Sequence, residues 1–181
     1  HGLFQKYDSV NCFKKNLCTL LGYIGLDHLH WLQNKTIDGI IHEKTAKLLN
    51  SNIFVNKQEN QEITQKVEKA LINNSSNKYF FGKDFNILKA ENGFIQYQDK
   101  LGEIILPEPN ILGDHQLGNI STAIAASRKL FKIKDQDIKK SITKIQLLKG
   151  RLQEINSGKL KDLVGQNRLI IDGGHNIGAS R

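Results

Sequence analysis

At 181 residues the chain is long enough to bury a substantial core, and it contains no apolar run near the roughly 20 residues that a membrane-spanning helix needs. The net charge of +8 comes from lysines scattered among Asn, Gln and Ile rather than clustered between aromatics, so no nucleic-acid partner is expected; a modest attraction for phosphates or acidic small molecules follows. Cys12 and Cys18 match neither a CxxC motif nor half of a zinc site, and no signal-like segment opens the chain, which predicts free thiols in a cytoplasmic protein with no membrane association.

Taken in order, Leu17–Ile24 reads as an interior parallel strand that ends in Gly25 and delivers Asp27 and His28 to its carboxyl end, where open α/β sheets place their ligands. Thr36 is a plausible N-cap, and Ile37, Ile40, Ile41 and Leu48 recur at helical spacing, so a helix over Thr36–Asn50 carries Glu43 and Lys44. Ile53-Phe54-Val55 completes a β-α-β unit. Ile63, Val67, Ala70 and Leu71 mark a second helix, and Tyr79-Phe80-Phe81 the next strand. The alternation is that of a doubly wound, mostly parallel α/β sheet.

From Phe85 the pattern changes to short strands, Phe85–Leu88, Phe94–Tyr97 and Glu103–Leu106, with Asn92-Gly93 as a hairpin turn; an antiparallel appendage is expected, closed by Pro107 and Pro109. The stretch Asn110–Asn119 reads as a polar loop feeding a helix over Ile120–Phe131, whose Ala123, Ala125 and Ala126 allow close packing. Asp135–Ile145 reads as another helix. A domain boundary is expected at residue 149. Beyond it, Arg168–Ile171 is an apolar strand ending in Asp172-Gly173-Gly174-His175-Asn176, where an acid and close-packing glycines stand at a strand end.

Polar residues thus collect at strand ends and helix starts: Asp27-His28, Gln116 to Asn119, and Asp172 to Asn176, with Arg151 between the last two. No HExxH, EF-hand loop, Ser-His-Asp order or P-loop GxxxxGK[ST] is present. Spacing alone describes an α/β domain and no more.

The order of the clusters, however, carries a resemblance. Gly25-Leu26-Asp27-His28 with Leu32, then Glu43-Lys44, Gly113-Asp114-His115-Gln116 with Asn119, Gly150-Arg151-Leu152-Gln153, and Asp172-Gly173-Gly174-His175-Asn176 closely resemble the folylpolyglutamate synthase/dihydrofolate synthase family of Mur-type ligases. The resemblance implies ATP-dependent joining of L-glutamate to a folate, tetrahydrofolate or dihydropteroate, through an acyl phosphate, with ATP and Mg2+ as cofactors. By family likeness, His28 is a magnesium ligand and Lys44 a carbamylated lysine that helps hold a second cation. Gln116, Asn119, Arg151 and Asp172 are nucleotide-side residues, and His175 stands beside the acyl phosphate or the incoming glutamate. Asp8 and Asn11 match folate-side positions, although Phe4–Val10 otherwise departs from the family's Gly-Gly-Arg pattern. Residues 1–149 correspond to the second half of the central ATPase domain and 150–181 to the start of a Rossmann-like C-terminal domain. The P-loop and a magnesium-binding Glu have no counterpart, so the chain is expected to be inactive by itself. It is then either a piece of a working ligase or a non-catalytic split-gene or degraded remnant, one that could assemble with a separately encoded N-terminal fragment; a basic nucleic-acid-binding module is the rival of another class.

Overall fold

The computed structural model describes residues 15–27, 29, 32, 34–46, 48, 51–111, 113, 115–146 and 148–174. The predicted positions Asp8, Asn11, Cys12, His28 and His175 lie outside them. Three short strands, β1 (Cys18–Leu21), β2 (Asn52–Val55) and β3 (Asn77–Phe80), form a parallel sheet in that order, with Thr19 opposite Ile53 and Ile53 opposite Lys78. The connections are helices α1 (Ile37–Thr45) and α2 (Gln61–Ala70). Both begin at side-chain caps: the Thr36 hydroxyl accepts the Gly39 N–H at 3.2 Å and the Asn60 amide oxygen accepts the Ile63 N–H at 3.0 Å, each satisfying an amide the helix leaves unpaired.

The period of two along β2 sorts the core into two layers. Ile53 and Val55 point to one face, where they meet Ile40 and Ile41 of α1 and Ile63 and Val67 of α2. Phe54 points to the other, against Ile120, Ile124 and Ala125. Those residues belong to α3 (His115–Phe131), so the parallel sheet has helices on both faces and is doubly wound. Ala125 and Ala126 are buried and let α3 approach the sheet, whereas Ala123 faces outward. Each of the fully buried Ile, Val and Phe side chains contributes about 1.5–3 kcal/mol of transfer free energy.

On its far side α3 carries an antiparallel sheet of β4 (Phe85–Lys89), β5 (Phe94–Asp99) and β6 (Gly102–Pro107). The β4–β5 turn has φ of 61° at Asn92 and 75° at Gly93, the pair of positive values that a type I′ hairpin requires and that Asn-Gly adopts with least strain. Ile87, Ile95, Tyr97, Ile104 and Leu106 form the inner face. Arg128, near the carboxyl end of α3, is buried beneath this sheet: its guanidinium lies 3.5 Å from Asp99 and 3.6 Å from Asp135 and donates to the Gly102 carbonyl. Asp135 opens α4 (Asp135–Ile142), so a single cation joins α3, the β5–β6 turn and α4. The Tyr97 hydroxyl donates to Asp99 at 3.0 Å, and burial, followed by the Asp99 charge, pushes the phenol far above its ordinary value.

The remaining described residues make a two-stranded antiparallel unit, β7 (Gln153–Glu154) paired with β8 (Ile170–Ile171), with α5 (Lys159–Val164) between them. Leu160, Leu163 and Val164 recur at helical spacing in α5, but the segment is too short for the sequence to mark it as a helix, and its residues are exposed or half-buried. The expected interior strand is shorter than Leu17–Ile24 and pairs, among the described residues, with β2 alone; Leu17 and Leu20 are exposed. Cys18 is a half-buried free thiol whose pKa is raised by burial. No helix among the described residues is long and apolar enough to cross a membrane.

Candidate functional site

The residues that leave β1 and β2 at their carboxyl ends are stitched together by side-chain amides. The Asn56 N–H donates to the Leu21 carbonyl at 2.9 Å, extending the β1–β2 ladder by one step. Gln58, buried, accepts the Ile24 N–H at 3.0 Å and donates to the carbonyls of Asn56 at 2.7 Å and Gly22 at 3.3 Å. A buried carboxamide is stable only when its polar atoms are paired, and these bonds pair both ends of it. The carboxyl edge of the sheet is thereby held in one conformation.

The amino end of α3 is brought to that edge. The polar loop expected over Asn110–Asn119 is helical from His115 onward, because the helix takes in residues that sequence composition assigns to a loop; Gln116 and Asn119 therefore sit on one helix face, three residues apart. Asn56 Nδ2 donates to Asn119 Oδ1 at 2.8 Å, and Asn119 Nδ2 donates to Gln116 Oε1 at 3.0 Å. Asn119 remains exposed while Asn56 is buried. Gly118 makes the approach possible, since a Cβ there would stand 2.7 Å from Asn56 Oδ1.

Arg151 and Asp172 arrive from the other side. The Asp172 carboxylate accepts the N–H of Leu152 at 2.7 Å and that of Gly174 at 2.5 Å, and these bonds, in that order, hold it below the usual carboxylate range; the neighbouring charges of Arg151 and His115 act in the same direction. The Gly173 N–H donates to the Gly150 carbonyl at 2.7 Å, a second tie between the same two segments. Gly113, at φ 95°, closes the gap to α3: a Cβ at that position would lie 2.6 Å from the His115 ring and 2.9 Å from Leu152 Cδ1. The turn of Gly150–Leu152, the end of β8 and the start of α3 thus form one polar corner, with Arg151 exposed in it.

Of the sequence-predicted site residues that the structure describes, Asn119 and Gln116 are bonded to each other and Arg151 lies beside Asp172; the two pairs are linked through His115, near Asp172, and Gly113, against Leu152. Lys44 is the penultimate residue of α1, half-buried, in the helix layer on the opposite face of the parallel sheet from α3. Among the described residues no group of three or more His, Cys, Asp and Glu side chains is placed to hold a metal ion, and Asp172 is engaged by two backbone amides. A magnesium ion prefers several hard oxygen donors. The described residues alone do not supply them. Asn56 and Gln58 belong to no motif in the sequence; the available signal is their position directly after a buried apolar run.

No protein-family model and no curated protein sequence matches the chain. Solved structures do. The chain superposes on E. coli FolC in complex with DHPP and ADP with a TM-score of 0.77 at 22% identity, over 99% of this chain and 39% of that one. An FPGS-AMPPCP-folate complex gives 0.70 at 21% identity, over 90% and 40%. Folylpolyglutamate synthase of Mycobacterium tuberculosis, complexed with ADP and AMPPCP, gives 0.69 at 18% identity, over 90% and 37%. The chain spans about two fifths of the length of these structures. Its parallel sheet, antiparallel appendage and closing two-stranded unit are the fold of a corresponding portion of the folylpolyglutamate synthases and FolC.

Proposed function

We propose that this chain is part of an ATP-dependent ligase that joins L-glutamate to a folate, either tetrahydrofolate or dihydropteroate, through an acyl-phosphate intermediate. The observation that carries the reading is the pairing of Asn119 with Gln116 and Asn56 at the carboxyl edge of the parallel sheet, with Arg151 and Asp172 near His115 at the start of the same helix, within a fold shared with ligases solved with ADP, AMPPCP, folate and DHPP. That edge is where open α/β sheets bind nucleotides.

In this reading Asn119 and Gln116 present amides to the nucleotide, and Arg151 neutralises charge on the transferred phosphoryl group, a role suited to a fixed, permanently charged fork. Asp172 acts through the backbone: it fixes the turn that carries Arg151. The boundary near residue 149 would let the segment beyond it close over the nucleotide and keep water from the acyl phosphate. His175 belongs beside that intermediate, Asp8 and Asn11 on the folate side, and His28 with a carbamylated Lys44 on the metal side. Bound Mg2+ would supply charge neutralisation of the phosphates. Residues 1–149 are assigned to the central ATPase domain and 150–181 to the C-terminal domain, in a cytoplasmic enzyme.

We further propose that the chain alone does not turn over, since it has no P-loop sequence to hold the β- and γ-phosphates. The exposed Leu20 on β1, with Leu17 just before it, suits a further segment packed against that edge of the parallel sheet.

The reading is tested by titrating the isotopically labelled chain with ADP and with AMPPCP and following its amide resonances. Shifts confined to the start of α3 and to residues 150–152 and 172–174 are expected. A titration that leaves those resonances unmoved, or moves instead the lysine-rich surface with RNA or DNA, overturns it. Glutamate- and folate-dependent ADP release by the chain alone would overturn the proposed inactivity.

A further inference from the structure

We propose that Asn56 is a positioning residue that fixes which way round the Asn119 carboxamide faces its ligand. The inference rests on the nucleotide-side role of Asn119 proposed above, but its physical basis is a chain of hydrogen bonds with a single consistent direction. The backbone N–H of Lys57 donates to Asn56 Oδ1 at 2.7 Å. A backbone N–H can only donate, so the oxygen of Asn56 is tied to it and Nδ2 must point the other way. Nδ2 reaches Asn119, which can accept it only through Oδ1. The Asn119 Nδ2 is therefore turned toward Gln116, whose Oε1 accepts it. Turning the Asn119 amide over would oppose one NH2 group to another in a place where Asn56, 5% exposed, has little water to turn to.

The consequence is a defined edge. With one N–H and one lone pair committed to Gln116 and Asn56, the exposed Asn119 amide keeps one N–H and one lone pair for a ligand, in a fixed arrangement. Gly118 belongs to the same device. A glycine inside a helix costs about 1 kcal/mol relative to alanine, yet here a Cβ would stand 2.7 Å from Asn56 Oδ1, the atom held by Lys57. The helix gives up side-chain volume at the one place where the orienting amide enters.

A double-mutant cycle on ADP binding by the chain tests this. Asn56→Leu keeps volume in the contact between β2 and α3 but cannot orient an amide; Asn119→Ala removes the oriented group. Each single substitution is expected to weaken ADP binding by up to roughly tenfold, the equivalent of one hydrogen bond, and the double variant to bind no more weakly than Asn119→Ala alone. Effects that multiply, or an Asn56→Leu chain that binds like the wild type, overturn the proposal. Should Asn56→Leu fail to fold, Asn56→Asp decides it in the ligand-free chain: it keeps the acceptor for Lys57 and turns an oxygen toward Asn119, so the Asn119 side-chain NH2 resonance must move. An unmoved resonance overturns the proposal. If wild-type chain shows no ADP binding, the nucleotide reading of Asn119 fails, while the ligand-free resonance still decides whether Asn56 sets its orientation.

Discussion

The carboxylate of Asp172, at the end of β8, accepts the backbone N–H of Leu152 at 2.7 Å, so a residue that the sequence marks as a binding acid is the clamp of the turn bearing Arg151. Asp172→Ala removes both this bond and the one from Gly174. The expected outcome is local: the Leu152 and Gly174 amides exchange with solvent several-fold faster, with the parallel sheet unaffected, as measured by hydrogen exchange.

Acid should release the same unit. The pKa of Asp172 is lowered by its amide donors and that of Glu154 by the Arg168 guanidinium, which reaches it through two bonds of 2.9 and 3.0 Å. A carboxylate with a depressed folded pKa contributes stability that is complete above the unfolded value of about 4 and is lost as pH falls through the folded one. The β7–β8 pairing is therefore expected to loosen below about pH 4, before the buried core does. Amide chemical shifts followed against pH check the order of events.

Gly118→Ala should fail as a helix-stabilising substitution. The propensity gain of about 1 kcal/mol is opposed by a Cβ 2.7 Å from Asn56 Oδ1, which cannot retreat without leaving the Lys57 N–H. No rise in melting temperature, together with a shifted Asn119 side-chain resonance, is the expected result.

The joint between the two sheets is the costliest place to cut. Phe54 is buried between β2 and α3 and stacks on Tyr79 at 4.7 Å, so Phe54→Ala should lose about 3–5 kcal/mol. Arg128→Ala leaves Asp99 largely buried without its cation; the contacts are long, which places the loss near the lower end, about 3 kcal/mol. Urea unfolding of both variants measures these differences.

The sequence by itself determined the order of strands and helices from β1 to α4 and the hairpin at Asn92-Gly93, because apolar period and positive-φ turn chemistry are local properties, whereas β7, α5 and the split of β2 between two layers came only with the structure. Its polar strand-end motifs also named Gln116, Asn119, Arg151 and Asp172, since their residue types and order are written in the chain. What only the tertiary structure decided was how those residues meet and what each side chain is bonded to. Asn119 is oriented by Asn56, the residue that follows β2, 63 positions away in the chain, and Asp172 is occupied by the amides of Leu152 and Gly174. Hydrogen bonds between residues distant in the chain depend on packing that brings donors and acceptors within about 3 Å, and no local pattern encodes that distance.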